Sequence, residues 1–142
     1  MFRGLATVTV YADDIAAAEE WYTKALGVES YFSFPHEGPP AYVEFRIGDF
    51  GHELGIVDVR FAPHPKSEEP AGAIAYWHVD DLEKTLAHLL SIGAKDHDPV
   101  THHGDGIGFI TASVIDPFGN ILGIMTNPHF LEVVEARKSE TS

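Results

Sequence analysis

Nine histidines and twenty-two Asp and Glu residues are the groups in this 142-residue chain that could bind a metal, move a proton or pair with a cation. There is no cysteine, which excludes disulfides, thiolate ligands and a cysteine nucleophile. A metal centre in a folded domain needs three or more donors converging on one point. The histidines are scattered. His102-His103 is the only adjacent pair, and neighbours on a strand point to opposite faces. They read as loop histidines, with a site built elsewhere from them left open. Asp116-Pro117-Phe118-Gly119-Asn120 gathers polar groups, but turn chemistry accounts for each: Asp caps, Pro fixes φ, and Gly and Asn accept positive φ. The loop Thr101-His102-His103-Gly104-Asp105-Gly106 suits either a flap over a ligand or an ordinary glycine-rich turn.

A net charge of −13 with nine scattered basic residues argues against nucleic acid, whose phosphates need clustered Lys and Arg. The same charge serves solubility and would attract a cationic ligand. No apolar run reaches membrane-spanning length and no secretory leader is visible, so no membrane partner is expected. The absence of cysteine fits a cytoplasmic protein. With 44% apolar residues, the chain suits one globular domain over 1–142.

The elements that must position any site come in two similar copies. Val10-Tyr11-Ala12-Asp13-Asp14-Ile15 and Trp77-His78-Val79-Asp80-Asp81-Leu82 each run an apolar strand into an Asp-Asp helix start, about 67 residues apart. In the first copy Leu5 to Ala12 alternates as a strand, Asp13 suits an N-cap, and Ile15, Ala18, Tyr22, Ala25 and Leu26 share a helical face ended by Gly27. Strands are predicted at Glu29–Phe34, Tyr42–Ile47 and His52–Val59. Pro63 to Pro70 reads as a linker. In the second copy Ile74–Val79 is a strand and Asp80 with Glu83 makes a capping box. Leu82, Leu86, Leu89 and Leu90 face a core, and Gly93 ends the helix. Strands near Lys95–Asp98, Gly108–Ile115 and Ile121–Asn127 complete it, and the tail could extend as a helix through Val134 or fray.

This order is an α+β fold of two βαβββ modules, 4–60 and 72–128, joined by a Pro-rich linker at 61–71. Two such modules side by side would form an eight-stranded curved sheet, a cup with helices on the convex side. With Val79-Asp80-Asp81-Leu82 opening a helix and Ile115-Asp116-Pro117-Phe118-Gly119-Asn120-Ile121-Leu122-Gly123-Ile124 late in the chain, the sequence resembles the vicinal oxygen chelate superfamily. That group contains glyoxalase I, extradiol dioxygenases and bleomycin resistance proteins.

The resemblance implies four metal-ligand positions, normally His or Glu, which by motif spacing fall on Thr7, Glu53, Ile74 and Gly123. These supply one carboxylate and one hydroxyl, so no metal and no cofactor are expected. Alternation from those positions predicts a cup lined by Thr7, Thr9, Tyr11, Glu53, Tyr76, His78 and Met125, with Tyr42 or Phe45 added from the third strand. The leading expectation is a metal-independent protein that sequesters or senses an amphipathic small molecule, cationic ones included, working as a homodimer. The alternative is a glyoxalase-like isomerase or lyase, or a dioxygenase-related enzyme, using Glu53 as general base. Two further roles stay open for Glu53: pairing with a ligand amine, or simply a hydrogen bond with a tyrosine. A third reading gives the scaffold a structural or partner-binding role.

Overall fold

The computed structural model describes residues 1–104 and 108–141. The α+β class and the two βαβββ modules are present, with three helices and two mixed sheets that do not close. Unit 1 comprises Met1–Ala71 and Phe118–Asn120, and unit 2 comprises Gly72–Pro117 and Ile121–Ser142.

Unit 1 runs β1 (Thr7–Ala12), α1 (Ile15–Leu26), β2 (Phe32–Phe34), β3 (Tyr42–Ile47) and β4 (His52–Asp58), in the sheet order β1-β4-β3-β2. β1 lies parallel to β4, and the other pairs are antiparallel. The inward residues of β3 and β4, Val43, Phe45, Leu54 and Ile56, are buried together with Ile15, Ala18, Trp21 and Tyr22 of α1. Tyr22 and Phe45 meet at 6.4 Å between ring centroids. Burying side chains of this size stabilises a fold by about 1.5–3 kcal/mol each. One face of the sheet is thereby filled, and the alternate residues are left on an open face.

Unit 2 runs β5 (Tyr76–His78), α2 (Leu82–Ser91), β6 (Lys95–Asp96), β7 (Thr101–His103), β8 (Phe109–Ile115), β9 (Ile121–Thr126) and α3 (Pro128–Thr141). Its order is β5-β9-β8-β6, with β7 also paired to β8. Leu82, Leu89, Ala112, Val114, Leu122 and Ile124 are buried here. The described strands therefore number nine in two sheets, where eight in one sheet were expected. The ninth, Thr101–His103, has the composition of a loop and becomes a strand because β8 offers it a free edge. Asp105–Ile107, the rest of that glycine-rich loop, lie outside the described residues.

Both helix starts sit one residue later than the sequence suggested. Asp14, with φ −132° and ψ 100°, accepts from the Ala17 amide at 3.0 Å, and Asp81 does the same for Lys84 at 3.1 Å. In an Asp-Asp pair the second residue reaches the amide three positions on, so Asp13 and Asp80 remain outside and no Asp80–Glu83 capping box forms. Gly27 ends α1 as expected, at φ 72°, donating to the Thr23 carbonyl. The tail forms the full helix α3 rather than stopping near Val134. Asn127 Oδ1 accepts from the His129 and Phe130 amides, and Pro128 follows it at the first helical position.

Candidate functional site

The register of unit 1 lays its open face out in rows. Thr7, Glu53 and Arg46 are cross-strand neighbours, then Thr9, Gly55, Glu44 and Phe32, then Tyr11, Val57, Tyr42 and Phe34. Four of the seven expected lining residues, Thr7, Thr9, Tyr11 and Glu53, thus share this face. Tyr42 joins them. Phe45 does not, being fully buried on the helix side.

Glu53 and Glu44 form the polar centre. Thr7 Oγ1 donates to Glu53 Oε2 at 2.8 Å. Tyr42 and Tyr31 donate their hydroxyls to the two oxygens of Glu44, and the Tyr31 hydroxyl also lies 3.4 Å from Glu53 Oε1. The Arg46 guanidinium stacks over the Tyr31 ring, 4.2 Å from its centroid, and its Nη2 is 4.0 Å from Glu53 Oε1. Burial, followed by the negative charge of Glu53, pushes the Glu44 carboxyl above the usual carboxylate range, with Arg46 pulling the other way. The Tyr42 phenol is raised by the same two influences in the same order.

Glycine is required at one place on this face. A Cβ on Gly55 would come 2.5 Å from the Tyr42 hydroxyl and 2.8 Å from Cε1 of its ring. The missing side chain lets that ring cross β4 and reach Glu44. Beyond Tyr42 the rings of Phe32, Phe34 and His36 meet edge to face at 5.6–6.2 Å, and Phe34 is 58% exposed. Tyr11 meets His64 of the linker edge to face at 5.2 Å, and its backbone N–H and C=O are both bonded by the Asn120 side chain, at 3.2 and 2.8 Å.

Tyr31, Glu44, Arg46, Phe32 and Phe34 were missed by the sequence reading. Glu44 and Arg46 follow from alternation once Tyr42 rather than Phe45 is set on the open face, since these two differ in parity. Tyr31 precedes β2 and no periodicity marks it.

The remaining expected residues, Tyr76, His78 and Met125, share the open face of unit 2. The Tyr76 ring lies against Gly123, where a Cβ would meet its Cδ1 at 2.7 Å and the Ala75 carbonyl oxygen at 2.8 Å. The His78 side chain is only 8% exposed. It stacks on Phe130 of α3 at 4.9 Å and 16°, and its Nδ1 accepts from the Asn127 amide at 3.0 Å. Asn127 Nδ2 lies 3.8 Å from Met125 Sδ.

Residues 4–124 match the Glyoxalase/Bleomycin resistance protein/Dioxygenase superfamily. The chain belongs to that superfamily. No functionally curated protein matches it. Among solved structures, this glyoxalase-superfamily chain is similar to a glyoxalase-related enzyme from Fulvimarina pelagi, at 19% identity and TM-score 0.67 over 89% of this chain and 90% of that one. It is similar to TioX from Micromonospora sp. ML1, at 16% identity and TM-score 0.63 over 87% and 98%. A glyoxalase/bleomycin resistance protein from Catenulispora acidiphila gives 24% identity and TM-score 0.59 over 88% and 100%. Identities this low carry the fold alone.

The metal of the superfamily's metalloenzymes does not fit the donors present. Glu53 is the one carboxylate of the four positions, and the Thr7 hydroxyl already donates to it. Ile74 and Gly123 bring no donor, and Gly123 pairs across the ladder with Tyr76. Among the described residues no three His, Asp or Glu side chains gather closely enough to hold an ion. Among those residues, also, no helix is long and apolar enough to cross a membrane.

Proposed function

We propose that this superfamily member binds a small organic cation with an aromatic or amphipathic body on the open face of unit 1, without a metal. The observation that carries the reading is Glu53. Thr7 fixes one of its oxygens, while Oε1 has Tyr31 only at 3.4 Å and Arg46 only at 4.0 Å. That oxygen has room for a closer donor than either. Tyr31 stands beside it, and Tyr42, Phe32 and Phe34 follow in the next rows of the same face, their rings offering faces to a cation or a planar group. Arg46 over Tyr31 is the arrangement a ligand cation would replace. The acidic chain raises the local concentration of such ligands.

Calorimetric titration with benzyltrimethylammonium and benzylamine, against benzoate as an anionic control, tests this. The cations bind and benzoate does not. Glu53→Gln weakens benzylamine binding by about 1.5–3 kcal/mol, the range for a hydrogen bond to a charged group. Equal binding by wild type and E53Q would sink the proposal.

Oε1, with only these two long contacts, also suits a general base, the second reading. In that case E53Q abolishes proton exchange at the α-carbon of a bound carbonyl compound, followed in deuterium oxide, while leaving its affinity nearly intact.

A further inference from the structure

We propose that His78 is an acid-sensitive latch that holds the C-terminal helix α3 on unit 2. The ring is 8% exposed and its two nitrogens have different neighbours. Nδ1 accepts from the backbone N–H of Asn127, which requires the ring's hydrogen to sit on Nε2. Asn127 is also the residue that caps α3, its Oδ1 accepting from the amides of His129 and Phe130. Phe130, in the first turn, stacks flat on the same imidazole. One side chain therefore holds both the cap and the first aromatic of the helix.

A second proton on His78 goes to Nδ1 and turns an acceptor into a donor aimed at another N–H. The Asn127 amide is then left facing a positive charge, a half-buried donor that has lost its acceptor. Among the described residues, Asp80 Oδ1 lies 4.0 Å from Nε2 and favours the cation, but Asp80 is fully exposed and water screens it. Phe130 also favours a cation through its ring face, though only while α3 stays docked. β9 and β8 carry no titratable side chain. On β7, His103 Nε2 is engaged with Thr111 Oγ1 at 2.7 Å. On α3, His129 and Glu132 pair with each other at 3.6 Å and are about three-quarters exposed, and Tyr76 stands two residues along β5. The lost acceptor outweighs the screened attraction of Asp80, so acid releases the helix. Docking is complete while the ring is neutral and is weakened once Nδ1 carries a proton.

Hydrogen exchange of the intact protein, followed by mass spectrometry on peptides covering 128–140, tests the latch. Rates at about pH 7.5 and about pH 5.5 are compared after correction for intrinsic exchange. Wild type loses about tenfold in protection of α3 at the lower pH, while α1 and β4 do not change. His78→Asn keeps an acceptor, Oδ1 in place of Nδ1, and cannot be protonated, so its α3 stays equally protected at both values. Phe130→Ala lowers protection at both values and retains the step between them. Equal wild-type protection at the two pH values would overturn the latch, and so would the same acid loss in H78N. Should H78N fail to fold, the wild-type and F130A comparisons still decide it.

Discussion

The open faces of the two units share one device and differ in chemistry. In each, a tyrosine ring crosses a glycine of the strand paired with the module's first strand: Tyr42 over Gly55 in unit 1 and Tyr76 over Gly123 in unit 2. Around Tyr42 stand Glu44, Glu53, Arg46 and Tyr31. The Tyr76 face instead carries Met125 and His78, and Phe130 of the chain's own last helix covers His78. The glycine sits at the matching place in both copies, but the tyrosine comes from the third strand of unit 1 and from the first strand of unit 2, and two carboxylates and a guanidinium stand around the former. A repeated backbone thus presents the same kind of face twice, and the side chains decide the chemistry of each.

Alanine at the two glycines breaks the comparison most sharply. At Gly123 a Cβ meets the Ala75 carbonyl oxygen at 2.8 Å, and backbone cannot step aside. Gly123→Ala should cost about 2–3 kcal/mol, read as a lower urea midpoint at unchanged m-value. At Gly55 the atoms within reach belong to the Tyr42 side chain, which can swing outward. Gly55→Ala should cost about 1 kcal/mol or less in stability while separating Tyr42 from Glu44. Equal losses at the two sites would mean that the Tyr42 ring is as rigid as backbone.

A smaller effect is expected where Asn120 bonds both backbone groups of Tyr11. Asn120→Ala removes two hydrogen bonds and should lower stability by about 1–2 kcal/mol in the same denaturation experiment. The smallest effects are electrostatic. Ultraviolet titration should place the Tyr42 phenol above the ordinary tyrosine value of 10.0, and Glu53→Gln should bring it part of the way back, since burial remains. Glu44 is raised in the fold, so the folded state holds its proton longer than the unfolded chain. Its contribution to stability therefore falls as pH rises from the ordinary glutamate range through the raised value. The same Glu53→Gln substitution should flatten that slope.

The duplicated strand-helix starts and the apolar faces of α1 and α2 were legible in the sequence, because each rests on local periodicity or on one repeat read against the other; that Thr7 rather than a tyrosine or His78 would donate to Glu53 was not. The cap positions were legible to within one residue, since Asp-Asp offers two candidates and only the backbone dihedral chooses. The choice between Tyr42 and Phe45 was not legible. A strand that alternates Tyr-Val-Glu-Phe-Arg-Ile has aromatics on both faces, and packing against Tyr22 settles which one turns inward. β7 was hidden by its glycine neighbours, and Tyr31 enters the site by tertiary contact alone.

The two hydrogen bonds between the Asn120 side chain and the Tyr11 backbone have a consequence for how the chain is made. Every strand of the first sheet has been synthesised by Asp58, yet the residue that fastens the end of its first strand is the one hundred and twentieth. As the chain emerges from the ribosome, the first half can pair its strands early but waits for most of the second half before its Tyr11 end is fastened. The two copies are alike in plan, but the first is not finished in the order in which it is written. A cut at the linker would therefore divide the repeats without giving two complete halves.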